Sequence, residues 1–111
     1  MKDVEWLGDS LDVIRSYNQK VREDLGAPLR AVQRGERPSC AKTFDGAIQE
    51  IRQWGNDADH RLYYVAKLKK AIYVLHVMKK DTTSGIAISD KDRKLIMKRY
   101  GEAIDMEKEK E

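Results

Sequence analysis

Six side chains from residue 52 onward carry chemistry this chain could perform: Arg52, Arg61, Tyr63, His76, Lys79 and Lys80. Cleaving RNA without a metal needs a group that takes a proton from the 2′-hydroxyl. It also needs cations that stabilise the charged phosphorane and a donor for the departing oxygen. Arg52 and Arg61 can each clamp a phosphate through paired N–H donors. Lys80 can stabilise charge or, crowded by other cations, act as a base. His76 is the other candidate base, because an imidazole changes charge near neutral pH. Tyr63 can stack on an unpaired base, and Lys79 adds a cation for RNA contact. A blander reading stands beside each assignment. An arginine on a strand often faces solvent, and a histidine between Leu75 and Val77 is often a satisfied core residue. Tyr64 and Tyr73 read as core.

Other chemistries find less support. There is no CxxC or HExxH spacing for zinc and no glycine-rich phosphate loop. His60 can join His76 only through folding, and nothing near Cys40 in the sequence activates its thiol. No cofactor and no metal is implied.

These residues need a scaffold, and the hydrophobic spacing supplies one. Val4, Trp6 and Leu7 read as a first strand, ended by Gly8 and followed by the helix-capping pair Asp9 and Ser10. Leu11, Ile14, Tyr17, Val21, Leu25, Leu29 and Val32 recur at spacings of three and four, one stripe of a helix. Asn18 can cap a second helix, and Pro28 lacks the amide an interior turn would use, so the stripe is expected as two helices with a kink. Gly35 is the natural stop. Residues 36–46 read as the longest connection, and residues 47–54 as a strand, although Ile48 and Ile51 also suit a helix. Residues 61–68 and 71–80 form an expected antiparallel hairpin around Lys69 and Lys70. Ser89 and Asp92 fit a capping box for a terminal helix carrying Ile96, Tyr100, Ala103 and Ile104.

A two-residue turn at Lys69 and Lys70 sets the register. Leu62 then faces Val77, Tyr64 faces Leu75 and Ala66 faces Tyr73 on an apolar side. Arg61 faces Met78, Tyr63 faces His76 and Val65 faces Val74 on the other, with Lys80 further along. Helices are expected to cover the apolar face and leave the Arg61, Tyr63, His76 and Lys80 side as a cleft.

A chain of 111 residues, 41% hydrophobic and 37% charged, is expected to fold as one domain over residues 1–111. The single cysteine, the lack of a signal-like start and the lack of a spanning apolar run point to the cytoplasm and away from membranes. A net charge of +3 permits an anionic partner without identifying one. The basic residues Lys20, Arg22, Arg30, Arg34, Arg37 and Lys42 read either as a solvated helix face or as phosphate contacts.

Several segments together resemble a known family. These are Val4-Glu5-Trp6-Leu7-Gly8-Asp9-Ser10, Val32-Gln33-Arg34-Gly35-Glu36, Glu50-Ile51-Arg52, Arg61 with Tyr64, Tyr73-Val74-Leu75-His76 and Gly85-Ile86-Ala87. In order and spacing the chain resembles the phage-derived branch of the HigB toxins, in the RelE superfamily of type II toxin–antitoxin systems. The resemblance implies a small α/β (α+β) RelE-like domain: two N-terminal helices and a C-terminal helix around a twisted, mainly antiparallel sheet, with residues 47–54 as a strand. It implies a ribosome-dependent endoribonuclease that cleaves messenger RNA and arrests translation, neutralised by a helix-turn-helix, HigA-like antitoxin in a hetero-oligomer. Carried over by position, Arg52, Arg61 and Lys80 match basic positions expected around the scissile phosphate. The chain departs from the family at Met78-Lys79-Lys80-Asp81, where an aromatic residue followed by Gln-Lys-Lys is common. Asp81 puts a negative charge where a basic residue is usual. It favours the alternative of an inactive relative that binds antitoxin as a co-repressor, or binds RNA.

Overall fold

The computed structural model describes residues 1–54, 58–81 and 87–110, with the backbone alone at residue 81. In chain order the elements are β1 (Asp3–Trp6), α1 (Ser10–Arg15), α2 (Gln19–Gln33), β2 (Lys42–Asp45), β3 (Ile48–Trp54), β4 (Ala58–Val65), β5 (Ala71–Asp81) and α3 (Asp90–Lys110). The strands form one sheet in the order β1-β5-β4-β3-β2. β1 runs parallel to β5 and the other neighbours are antiparallel. The mixed α+β architecture and the hairpin of β4 and β5 agree with the expectation from sequence. Among the described residues no helix is long and apolar enough to cross a membrane.

The apolar stripe does divide into two helices, and the division falls at Asn18 rather than Pro28. The Asn18 side chain accepts from the Val21 N–H at 3.0 Å, which satisfies one of the orphan donors of α2, and Pro28 is carried inside that helix. Beyond the last turn, Gly35 takes φ +86°. Its N–H donates to the Val32 carbonyl at 3.0 Å and the Glu36 N–H donates to Ala31 at 3.0 Å, a glycine-dependent helix end. At α1 the expected cap is different. Asp9 makes no capping bond with its side chain, and the Ser10 hydroxyl donates back to the Leu7 carbonyl at 2.7 Å.

Helices α1 and α2 bury Ile14, Val21, Leu25, Leu29 and Val32 against Ile51, Leu62, Tyr64, Ile72, Val74 and Val77 on one face of the sheet. Helix α3 buries Ile96 and Ala103 against Ile48, Tyr63, Val65, Tyr73 and Leu75 on the other. The expectation that one face would be left uncovered is therefore corrected. The central strands are apolar on both sides, so each side requires a cover.

The expected register holds for Leu62 with Val77, Arg61 with Met78 and Tyr63 with His76, and then slips. Tyr64 pairs with Val74 and Val65 with Tyr73, leaving Leu75 as an extra residue, a β-bulge. The chain between the strands is residues 66–70 rather than the two-residue turn. The bulge turns two consecutive side chains to the same face: Leu75 packs under α3 and His76 bonds to residues of α3. The expected long connection of residues 36–46 contains β2, a short edge strand.

Candidate functional site

Three cross-strand rows lie on the α3 side of the sheet, running from the part that α3 covers towards the far ends of β3 and β5. Glu50, Tyr63 and His76 form the first row, Arg52, Arg61 and Met78 the second, and Trp54, Asp59 and Lys80 the third, each set directly opposed across β3, β4 and β5. Side chains opposed in this way have Cβ atoms roughly 5 Å apart. The rows therefore place Arg52, Arg61, His76 and Lys80 within one patch.

Arg52 and Arg61 are like charges directly opposite each other, an arrangement that needs compensation. A carboxylate two residues earlier on the same strand supplies it in each case. Arg52 Nε donates to Glu50 Oε1 at 2.7 Å, and Arg61 donates to Asp59 Oδ2 from Nε at 3.0 Å and Nη2 at 2.9 Å. The Arg61 and Asp59 side chains are 1% and 4% exposed, so this pair is a buried one, while Arg52 is 21% exposed. Burial works against the Arg61 charge, and contacts with Tyr63 and Asp59 more than restore it. Asp59 Oδ1 is buried without a hydrogen-bond partner among the described residues. The Tyr63 hydroxyl lies beside Glu50 and Arg61 with no well-aligned partner among the described residues, and burial followed by the Glu50 charge pushes its pKa well up.

His76 is held at both ring nitrogens. Nδ1 lies 3.2 Å from Arg99 Nη1 and Nε2 lies 3.1 Å from Asp92 Oδ1. Arginine can only donate, so Nδ1 accepts and Nε2 carries the hydrogen donated to Asp92. Burial opposes the Asp92 charge, but hydrogen bonds from Ser89 and His76 and the nearby Lys80 hold its pKa below the usual carboxylate value. The Ser89 hydroxyl donates to Asp92 Oδ2 at 2.8 Å and accepts from the Asp92 N–H at 3.1 Å, the expected capping pair. Arg99 also donates to the bulge carbonyl of Leu75 at 3.0 Å and to Asp9 at 3.1 Å. It thus satisfies the backbone group that the bulge takes out of the ladder. Lys80 donates to the Ala87 carbonyl, just before α3. Among the described residues no three His, Cys, Asp or Glu side chains converge to hold a metal ion.

Two of the expected RNA contacts are placed elsewhere. Tyr63 is 0% exposed, its ring edge-on to Phe44 at 4.9 Å in the α3 core, so no face is open for a base. Lys79 pairs with His60 and borders a 250 Å³ hollow with Tyr17 and Asn18, on the α2 side of the sheet. Strand alternation sends neighbours to opposite faces, so Lys79 and Lys80 cannot serve one site. The Asp81 side chain, with Gly85 and Ile86, lies outside the described residues. Lys20 and Arg34 pair with Asp24 and Glu36, which fits the solvated-face reading of the basic stretch.

Sequence reasoning passed over Glu50, Trp54, Asp59 and Arg99. The first and third had a signal: Glu50-x-Arg52 and Asp59-x-Arg61 share the spacing that puts a carboxylate and a guanidinium on one strand face. Arg99 and Glu107 stand in phase with Ile96 and Ala103, so α3 carries two charges in its buried stripe.

A family model described as "Phage derived protein Gp49-like (DUF891)" matches residues 12–101. No curated protein and no solved structure matches. The match takes in α2, all of β2 to β5, the three rows of the site and most of α3. The chain belongs to the Gp49-like phage-derived family, a toxin-like family associated with toxin–antitoxin systems.

Proposed function

We propose that this protein is a HigB-like toxin of the RelE superfamily, acting in the cytoplasm as a ribosome-dependent, metal-independent endoribonuclease that cleaves messenger RNA and arrests growth. A helix-turn-helix, HigA-like antitoxin neutralises it in a hetero-oligomer. The observation that carries the reading is the opposition of Arg52, which is partly exposed, and the buried Arg61 on the α3 side of the sheet, with Lys80 in the adjoining row. In the proposed step the 2′-oxygen attacks phosphorus and loses its proton, while the bond to the 5′-oxygen breaks and that oxygen is protonated. Arg52 and Arg61 stabilise the phosphorane charge, and Lys80 handles protons. Both nitrogens of His76 are engaged by Arg99 and Asp92, which favours a positioning role for that ring over the role of base. Inducing the chain alone in bacteria and mapping messenger RNA 5′ ends tests the reading. Growth arrest with new ends, both lost in a folded Arg52→Ala variant, is the expected result.

A second reading has one observation in its favour. Arg61 is buried and neutralised by Asp59, as a residue holding the sheet together would be. The protein then binds antitoxin as a co-repressor, or binds RNA, without cleaving it. Normal growth and no new ends despite soluble, folded protein would select it.

A further inference from the structure

Trp54 ends β3 with 59% of its surface exposed, on the face that carries Arg52 and directly opposite Asp59. The Arg52 guanidinium carbon stands 5.3 Å from the centroid of the indole ring. Glu50 holds Arg52 Nε, so the cation is fixed over one face of the indole and orients it. With more than half of Trp54 in water, the rest of the ring is left for a partner.

We infer that Trp54 is a stacking platform for an unpaired RNA base, beside a phosphate contacted by the partly exposed Arg52. The identity of that RNA rests on the ribonuclease reading, but the stacking contact itself does not need cleavage. An aromatic face next to a row of cations is the arrangement that binds single strands, the cations tracking phosphate and the ring taking a base. Side chains two apart on a strand are about 7 Å apart, within the reach of one nucleotide. Every base has a π-face, so the contact adds affinity without choosing sequence. A protein partner could also cover an exposed indole. The cations in the adjoining row favour RNA.

The test uses a Trp6→Phe background, which leaves Trp54 as the only tryptophan. The probe is a 2′-O-methyl oligouridine, which lacks the hydroxyl needed for cleavage. Quenching of Trp54 fluorescence by this probe is expected. In cleavage, Trp54→Ala is expected to weaken all sites uniformly, by roughly ten- to a hundred-fold, with Trp54→Phe restoring most of the loss. Absence of quenching overturns the inference, as does a folded Trp54→Ala variant that cleaves like the wild type. A Trp54→Ala variant that cleaves normally but escapes the antitoxin overturns it in favour of a protein contact. Absence of cleavage by the wild type counts against the ribonuclease reading alone, and quenching still decides the stacking.

Discussion

Arg52 and Arg61 face each other across two strands, yet their removal has different consequences. Arg61→Ala strands the Asp59 carboxylate in a site where both partners are almost fully buried. It is expected to cost about 3–5 kcal/mol. Arg52→Ala also leaves a buried carboxylate, Glu50, but with the exposed Lys42 opposite it and a partner that was itself 21% exposed, and the expected cost is smaller, about 1–3 kcal/mol. Urea unfolding of the two variants checks the contrast; equal costs would mean that Asp59 does not depend on Arg61. This is why Arg52→Ala is the cleaner probe of activity. Acid acts at the same scale. Burial opposes the charge of Glu107, but hydrogen bonds from the Tyr73 hydroxyl at 2.8 Å and the Lys70 N–H at 3.0 Å outweigh it and lower its pKa. Asp92 is lowered in the same sense. Carboxylates depressed in the folded state add stability that is fully present above their ordinary values of 3.8 and 4.5. That stability is lost as pH falls through the depressed ones. The docking of α3 is therefore expected to loosen below about pH 4, and Glu107→Gln to flatten that dependence in a pH series of denaturation midpoints.

Among the elements, α3 depends on a single glycine far from it in sequence. Gly8 takes φ +55°, and a Cβ there would lie 2.3 Å from the Arg99 guanidinium. Gly8→Ala is expected to push Arg99 off Asp9 and the Leu75 carbonyl and to cost about 1–3 kcal/mol. Loss of hydrogen-exchange protection around Leu75 and along α3, greater than elsewhere, would be the sign. An unchanged pattern would mean that Arg99 can move at little cost. The helices were legible in the sequence because Val21, Leu25, Leu29 and Val32 keep helical spacing between Asn18 and Gly35. The register of β5 was legible only in part. The run from Ala71 to Leu75 is apolar on both faces and carries no alternation to show where the bulge falls. Strand β2 was missed because Lys42-Thr43-Phe44-Asp45 offers one large apolar side chain at a sheet edge.

Across the whole molecule, the sheet separates two tasks. Its α2 side is an apolar core, and its α3 side changes from apolar at Ile48, Val65 and Tyr73 to charged at Arg52, Arg61 and Lys80. The basic members of the site were legible from residue type and family resemblance. Their carboxylate partners, the burial of Tyr63 and the exposure of Trp54 depend on where α3 ends its cover, which no local pattern encodes. The most direct measurement is the incubation of purified protein with ribosomes programmed with a defined messenger RNA, comparing wild type with folded Arg52→Ala. Wild-type cleavage is expected without added divalent metal beyond what the ribosome itself requires, reduced at least about a hundred-fold in the variant. Intact message with folded wild type, or equal cleavage by both proteins, would contradict it.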